Sequence, residues 1–509
     1  MELQVINGRV GTMETVFDDL DERPVDCDFM LPDYLPDITA ILKCRMKPMV
    51  QTYQVSGDRV MVDGTVYLQL LYVDEERRCV RSYEHAQPFT AAFTVKDMKS
   101  SDTVQTSARV NYVNCRATGP RRVDVHGAFS VRLCVMSQVS VEVVSEVQEE
   151  NLYTRSCTVA ASVPMGSGEK TVSINEVLEL GDVSAQALVR GNVAAVITEC
   201  RQMPGKAVVK GDVLLEAVCL VDEQSGALHR HTERIPFSQI LDVDGLSEEL
   251  VCDCRVRVTQ CDMRPVQDPA GENRLLSVAV KLSVSLCCYG TEFCNVVTDA
   301  YHTAYPLKTE VCRLEPCRVG FVRSDMAAVT VTQDLPDTAI AEIVDLWCEP
   351  MAAECAGAAG QTVVNGQLQV GMITRDKEGV LSYYERPLDY ETSLPDECAC
   401  VTAEVTVLET VFTQNCTRLE LRVQLAVHRV GMQQESHAAI VRMAAEESTP
   451  YTEEGALRGC CLKVCYAQAG ESVWELARRE HVSPEALKAE NELHSETLEA
   501  DTMLLIPMR

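Results

Sequence analysis

The feature that most constrains this chain is an internal repeat with a period near 150 residues. Three segments share one order of landmarks. The first reads LPDYLPDITAIL and then RVMVDGTVYLQLLYVDEERRCVRSYEHAQPF. The second reads LELGDVSAQALV and then AVVKGDVLLEAVCLVDEQSGALHRHTERIPF. The third reads DLPDTAIAEIV and then TVVNGQLQVGMITRDKEGVLSYYERPLDY. Gly64, Gly211 and Gly366 correspond, 147 and 155 residues apart. Asp74, Asp222 and Asp376 follow them, then Glu84, Glu233 and Glu385, and Phe89, Phe237 and Tyr390 close each block. Landmarks kept at nearly equal spacing three times mark three copies of one unit.

The local patterns predict β-rich units. After the first glycine, Val66, Leu68 and Leu70 alternate with Thr65, Tyr67 and Gln69, the signature of a half-buried strand. The acidic cluster that follows reads as a turn whose aspartate caps the backbone, and Arg81–Pro88 reads as the return strand of a hairpin. Glycine inside such a strand marks a bulge or a close backbone approach. In LPDITAIL, Pro and Asp precede Ile38, Ile41 and Leu42 at helical spacing, which predicts one short helix at the head of each block. The later runs VDVHGAFSVRLCV, LLSVAVKLSVSLCC and LELRVQLAVHRVG again alternate as strands. The expected fold is therefore mainly β with some α. Its units span 1–150, 151–300 and 301–445, the second being divergent because Leu-Gly-Asp replaces Leu-Pro-Asp. A linker at 446–462 leads to a small terminal unit at 463–509.

That terminal unit has helix punctuation. Ser472 is an N-cap candidate and Glu475 completes a capping box. Val473, Leu476 and Ala477 form an apolar stripe, with Trp474 at its edge and Arg478 one turn on. Ser483-Pro484 starts a second helix. Apolar strands at Leu462–Ala467 and Met503–Met508 flank the pair, giving β-α-α-β. The run Tyr466-Ala-Gln-Ala-Gly-Glu-Ser-Val-Trp474, then Val482-Ser-Pro-Glu-Ala-Leu, Asn491-Glu-Leu493 and Leu505-Ile-Pro507 resembles a LysM domain. The resemblance implies binding of N-acetylglucosamine polymers in a shallow groove between the loop before helix one and the loop after helix two. In this chain that groove is Gly470, Glu471, Ser472, Val473, Asn491, Glu492 and Leu493. Trp474 is expected either to anchor a protein contact, as interface tryptophans do, or to cover the small core of this unit, with Lys463 and Arg478 as flanking charges.

The upstream blocks resemble SPOCS domains, which occur in proteins of endospore-forming bacteria. SPOCS repeats followed by one C-terminal LysM domain are similar to a family of spore-coat morphogenetic proteins. What that implies is a non-enzymatic adaptor in the mother-cell cytoplasm, at the forespore surface. Its LysM domain would bind the SpoIVA-type morphogenetic ATPase, and its SPOCS repeats would support localisation or contacts with other coat proteins. The alternative is binding to peptidoglycan, the N-acetylglucosamine polymer of the spore or cell wall.

Composition removes several other classes. The formal charge is −30, from 46 basic against 76 acidic side chains. Nucleic acids and anionic membrane surfaces are bound through basic patches, so neither is an expected partner. No run of about 18 apolar residues predicts a transmembrane segment. The first residues carry no basic stretch followed by an apolar run, so export is not expected and the 24 cysteines are expected to be reduced core residues. There is no CxxC; Cys252-x-Cys254 and Cys398-x-Cys400 each place two thiols on one strand face, and no metal site or cofactor is expected. With no GxSxG, P-loop or HExxH, no catalytic residue is nominated and the chain is not expected to be an enzyme.

Overall fold

The alternating blocks fold as long antiparallel strands, and the same six-strand plan occurs three times. A computed structural model describes residues 3–75, 79–99, 102–335, 340–358, 360–396, 400–415, 418–446, 451 and 462–507. The first unit holds β1 (Val5–Met30), β2 (Ile38–Ser56), β3 (Arg59–Asp74), β4 (Val80–Thr94), β5 (Thr103–Ala117) and β6 (Arg122–Val147). The second holds β7 (Leu152–Glu179), β8 (Ala187–Met203), β9 (Lys206–Asp222), β10 (Ala227–Asp242), β11 (Val251–Val266) and β12 (Leu275–His302). The third runs from β13 (Leu307–Leu314) and β14 (Cys317–Asp334) through β15 (Ile340–Ala358), β16 (Gln361–Asp376) and β17 (Leu381–Pro395). It ends with β18 (Cys400–Asn415), β19 (Arg418–Gln434) and β20 (His437–Ala445).

Each unit is a sandwich of two three-stranded sheets. The orders are β1-β6-β5 with β2-β3-β4, β7-β12-β11 with β8-β9-β10, and β14-β19-β18 with β15-β16-β17. The inward residues of both sheets form one core per unit, for example Leu68 and Leu70 with Phe129 and Leu133 in the first. Equivalent cores occupy the second and third units. The pairs β1 with β6, and likewise β7 with β12, continue beyond their sheet as a ribbon. In the third unit that ribbon is a separate pair, β13 with β20, because both strands are interrupted, at Glu315-Pro316 and at Glu435-Ser436.

The three ribbons pack together through Val10 and Val143, Val159 and Val296, and Leu314 and Ala439. The three hairpins meet in a second shared cluster around Leu71, Leu220, Trp347 and Ile373. The units therefore close around a common centre, and the repeats bury one another's edges.

The shared landmarks explain themselves in the ladder. Gly64, Gly211 and Gly366 stand directly opposite Phe89, Phe237 and Tyr390. A Cβ on any of the three would lie 2.5–2.6 Å from that aromatic side chain. On the other side each glycine faces a bulge, where the register slips after Val50, after Ile197 and before Ala353. The landmark aspartates cap their turns as expected. Asp74 Oδ1 accepts from Cys79 N at 2.9 Å, Asp222 Oδ1 from Gln224 N at 3.0 Å, and Asp376 Oδ1 from Val380 N at 2.8 Å.

The helix expected at the head of each block is corrected. Leu35 N bonds Pro32 O in a turn, and Ile38 already begins β2, a strand. In the second block, Ala187 likewise begins β8. In the third, residues 336–339 lie outside the described residues and Ile340 begins β15.

Slips after Ile41, Leu188 and Ile343 leave Leu42, Val189 and Val344 as extra residues that turn into the central cluster. The next residues, Lys43, Arg190 and Asp345, are equivalent positions of the three units. Arg190 and Asp345 are both almost fully buried and pair through two bonds, Nε–Oδ2 at 2.7 Å and Nη2–Oδ1 at 2.9 Å. Arg230 Nη2 adds a third at 2.9 Å, Glu216 also binds Arg190, and the Arg190 guanidinium lies 5.3 Å from the Trp347 ring. Burial pushes the Asp345 carboxyl up, but the two arginines outweigh it and hold the group below its ordinary range. Lys43 pairs with Glu385 and Arg45 with Glu349, so charges from the first unit also lock onto the third.

Cysteines such as Cys219, Cys254 and Cys288 lie in the cores as free thiols. Cys398 of the second CxC pair lies outside the described residues. Among the described residues no helix is long and apolar enough to cross a membrane.

Candidate functional site

The terminal unit is built from β21 (Leu462–Ala467), α1 (Val473–Glu480), α2 (Pro484–Glu490) and β22 (Thr502–Pro507). The two strands pair antiparallel from Leu462–Pro507 to Ala467–Thr502. Residues 447–450 and 452–461 of the expected linker, and Met508 at the end of the expected last strand, lie outside the described residues. The core is the predicted stripe, Val473, Leu476 and Ala477, with Leu487, Leu504 and Ile506. Ser483 caps α2 through its Oγ, which accepts from Ala486 N at 3.0 Å, and Pro484 follows as the first helical residue. The capping box expected at α1 does not form: the Ser472 side chain makes no cap bond. A backbone exchange replaces it, because the loop after α2 folds over that helix end and Val473 N donates to Glu496 O at 2.9 Å.

That exchange shapes the predicted groove. Gly470 N donates to Leu498 O at 2.8 Å, Leu498 N to Glu471 O at 3.0 Å, and Ser472 bridges Thr497. Gly470 has φ +89°, a left-handed conformation that favours glycine. The Glu471 carboxylate accepts from Gln468 N and from Arg479, and these bonds hold its pKa below the ordinary value. Asn491 is clamped: its Nδ2 donates to Leu487 O at 2.9 Å and Leu505 O at 2.7 Å, and its Oδ1 accepts from Leu505 N at 2.6 Å. Glu492 is exposed with φ +54°, Leu493 packs half-buried on the core, and Val473 is fully buried. The loop before α1 thus meets residues 496–498 of the loop after α2, and the hydrogen bonds named here all stay within the unit. Lys463 pairs with Glu480 at 2.6 Å, on the strand side.

Trp474 and Arg478 are placed elsewhere. Both reach Asp299 near the end of β12: Trp474 Nε1 donates to Oδ2 at 2.8 Å, and Arg478 Nη1 donates to both oxygens at 2.9 and 2.8 Å. Tyr301 meets the Trp474 ring edge-on at 5.0 Å and is itself stacked on Tyr153. Its hydroxyl donates to Val482 O at 2.7 Å in a buried position, and burial raises its pKa. Tyr451 stacks on His481 at 3.7 Å. The terminal unit is therefore seated on the second unit through its tryptophan face. Sequence reasoning nominated none of Asp299, Tyr301 and Tyr153, and they carry no local signal beyond an acid and two tyrosines at strand ends.

A different surface of the terminal unit is open and apolar. On the outer face of its two-stranded sheet, Val464 pairs with Leu505 and Tyr466 with Met503. These four side chains are 58, 37, 69 and 66% exposed. Leu505 is also the residue that Asn491 clamps, so this face is continuous with the end of the groove.

Comparison with protein families gives two matches. Residues 37–118 and 184–266 match the family described as SipL, SPOCS domain, and residues 467–507 match the LysM domain. The matched SPOCS segments correspond to β2–β5 and β8–β11, the same stretch of two units. The second of them is the block read as divergent. Comparison with curated proteins and with solved structures gives no match.

Proposed function

From the premise that this chain joins SPOCS segments to a C-terminal LysM domain, we propose that it is a non-enzymatic adaptor of endospore coat assembly. Both matched domains are of binding types. In this reading the LysM domain binds the SpoIVA-type ATPase of the coat basement. The interlocked SPOCS units hold it at the forespore surface in the mother-cell cytoplasm and offer further surface to other coat proteins.

The observation that carries the protein-binding reading is the apolar face of Val464, Tyr466, Met503 and Leu505. Large exposed apolar side chains grouped on one small sheet are what a protein partner covers. The expected role of Trp474 as an outward anchor is superseded in this proposal, because its ring and Nε1 are engaged by Tyr301 and Asp299. The test is co-purification of the full-length chain with the ATPase, for the parent and for Tyr466→Glu and Met503→Glu. Each variant is expected to lose binding at least tenfold; undiminished binding by both would refute this surface.

The match of residues 467–507 to the LysM domain favours a second reading, binding of N-acetylglucosamine polymers. That reading requires oligosaccharide binding that Tyr466→Glu leaves unchanged.

A further inference from the structure

The Cys252-x-Cys254 pair takes no part in the LysM site, yet the structure gives each thiol a partner. Cys252 on β11 is the direct ladder partner of Cys288 on β12, and their sulfurs are 2.8 Å apart. Directly opposed residues of an antiparallel pair have Cα atoms about 4.5–5.5 Å apart. That lies inside the range of about 4.4–6.8 Å that a disulfide spans. Two residues on, Cys254 contacts Cys200 on β8 of the facing sheet. Cys288 is fully buried and Cys252 half-buried, so an oxidant reaches the pair through Cys252. Among the described residues no three His, Cys, Asp or Glu side chains are grouped to hold a metal ion.

The position in the fold gives the pair a consequence. The β12–β7 register slips between Cys288 and Tyr289. The first and third units slip at the corresponding point, beside Val135 and Gly431. This is where each ribbon leaves its sheet. Further along the same strand lies Asp299, which seats the LysM domain.

We propose that Cys252 and Cys288 are a modification site, converted by a peroxide-class oxidant to a cross-strand disulfide that ties β11 to β12 at the root of the ribbon. The Cys252 sulfur attacks one peroxide oxygen as it gives up its proton, the O–O bond breaks, hydroxide departs, and a sulfenic acid remains on Cys252. The Cys288 thiolate then attacks that sulfur, forms the S–S bond and expels a second hydroxide. The two thiol protons convert both hydroxides to water, so two thiols and one peroxide give one disulfide and two waters. The link fixes the strand that carries Asp299 without touching the LysM groove.

The test treats the reduced full-length protein with hydrogen peroxide, alkylates the remaining thiols, and maps linked peptides by mass spectrometry without reductant. The expected result is a Cys252–Cys288 link as the first disulfide formed. An upward shift in Tm that dithiothreitol reverses, and that Cys252→Ser lacks, should accompany it. Cys252 is half-buried, so its serine variant carries the test even if Cys288→Ser fails to fold. A first link between any other pair overturns the proposal. So does alkylation of both Cys252 and Cys288 after exposed thiols have oxidised, or an unreactive pair at peroxide levels that oxidise Cys465.

Discussion

Phe89 lies directly across the ladder from Gly64, and its ring fills the space a Gly64 side chain would need. The same pairing recurs as Gly211 with Phe237 and Gly366 with Tyr390, each glycine facing a bulge on its other side. An aromatic ring laid over a strand glycine supplies the packing that the glycine lacks and pins the register.

Gly64→Ala should therefore destabilise the first unit. The new methyl meets Phe89 and the Met49 carbonyl, which is backbone and cannot rotate away. Overpacking of this kind costs about 1–3 kcal/mol. A lowered Tm in thermal unfolding is the expected readout, and an unchanged Tm would contradict the close approach.

Asp345→Asn removes the acid between Arg190 and Arg230. Breaking a buried pair by removing one partner typically costs about 3–5 kcal/mol. Its folded pKa is lowered, so the stabilisation is fully present above the ordinary 3.8 and is lost as pH falls through the lowered value. The difference in Tm between parent and variant should therefore be large at pH 6 and shrink below about pH 4. A difference that grows on acidification would contradict the assignment.

Asp299→Ala should unseat the LysM domain and leave its fold intact. The substitution removes charge-assisted bonds from Trp474 and Arg478, each worth about 1.5–3 kcal/mol before solvent screening of this half-exposed site. In a Trp347→Phe background Trp474 is the sole tryptophan, and its emission should shift to longer wavelength. An unshifted spectrum would mean the indole environment does not depend on Asp299.

Asn491→Ala tests whether this groove residue is structural. Its amide closes three bonds that tie α2 to β22, and leaving such groups unpaired costs about 1–3 kcal/mol each where they are buried. Faster amide exchange at Leu505 is expected, and unchanged protection there would place the clamp elsewhere.

The strands and turns were legible because their landmarks are cross-strand partners, so sequence spacing reports register directly. The block heads misread as helices for a physical reason. Slips after Ile38 and Ile41 insert extra residues into β2 and break the alternation, leaving Ile38, Ile41 and Leu42 at a helix-like spacing. The α1 cap misread because the loop carrying Glu496 holds that helix end through Val473 N, a backbone bond that no local residue pattern marks. The LysM domain was legible since its helix starts and flanking strands are local in the chain. The seat of Trp474 was not: Asp299 is 175 residues away, and nothing local marks a strand-end acid as a docking partner.

The most direct measurement is calorimetric titration of the full-length chain with a SpoIVA-type ATPase and, separately, with N-acetylglucosamine oligomers. The account predicts saturable binding of the ATPase that Tyr466→Glu abolishes and Trp474→Phe retains, with no heat from the oligomers. Oligomer binding without ATPase binding would contradict it and make the LysM domain a glycan reader.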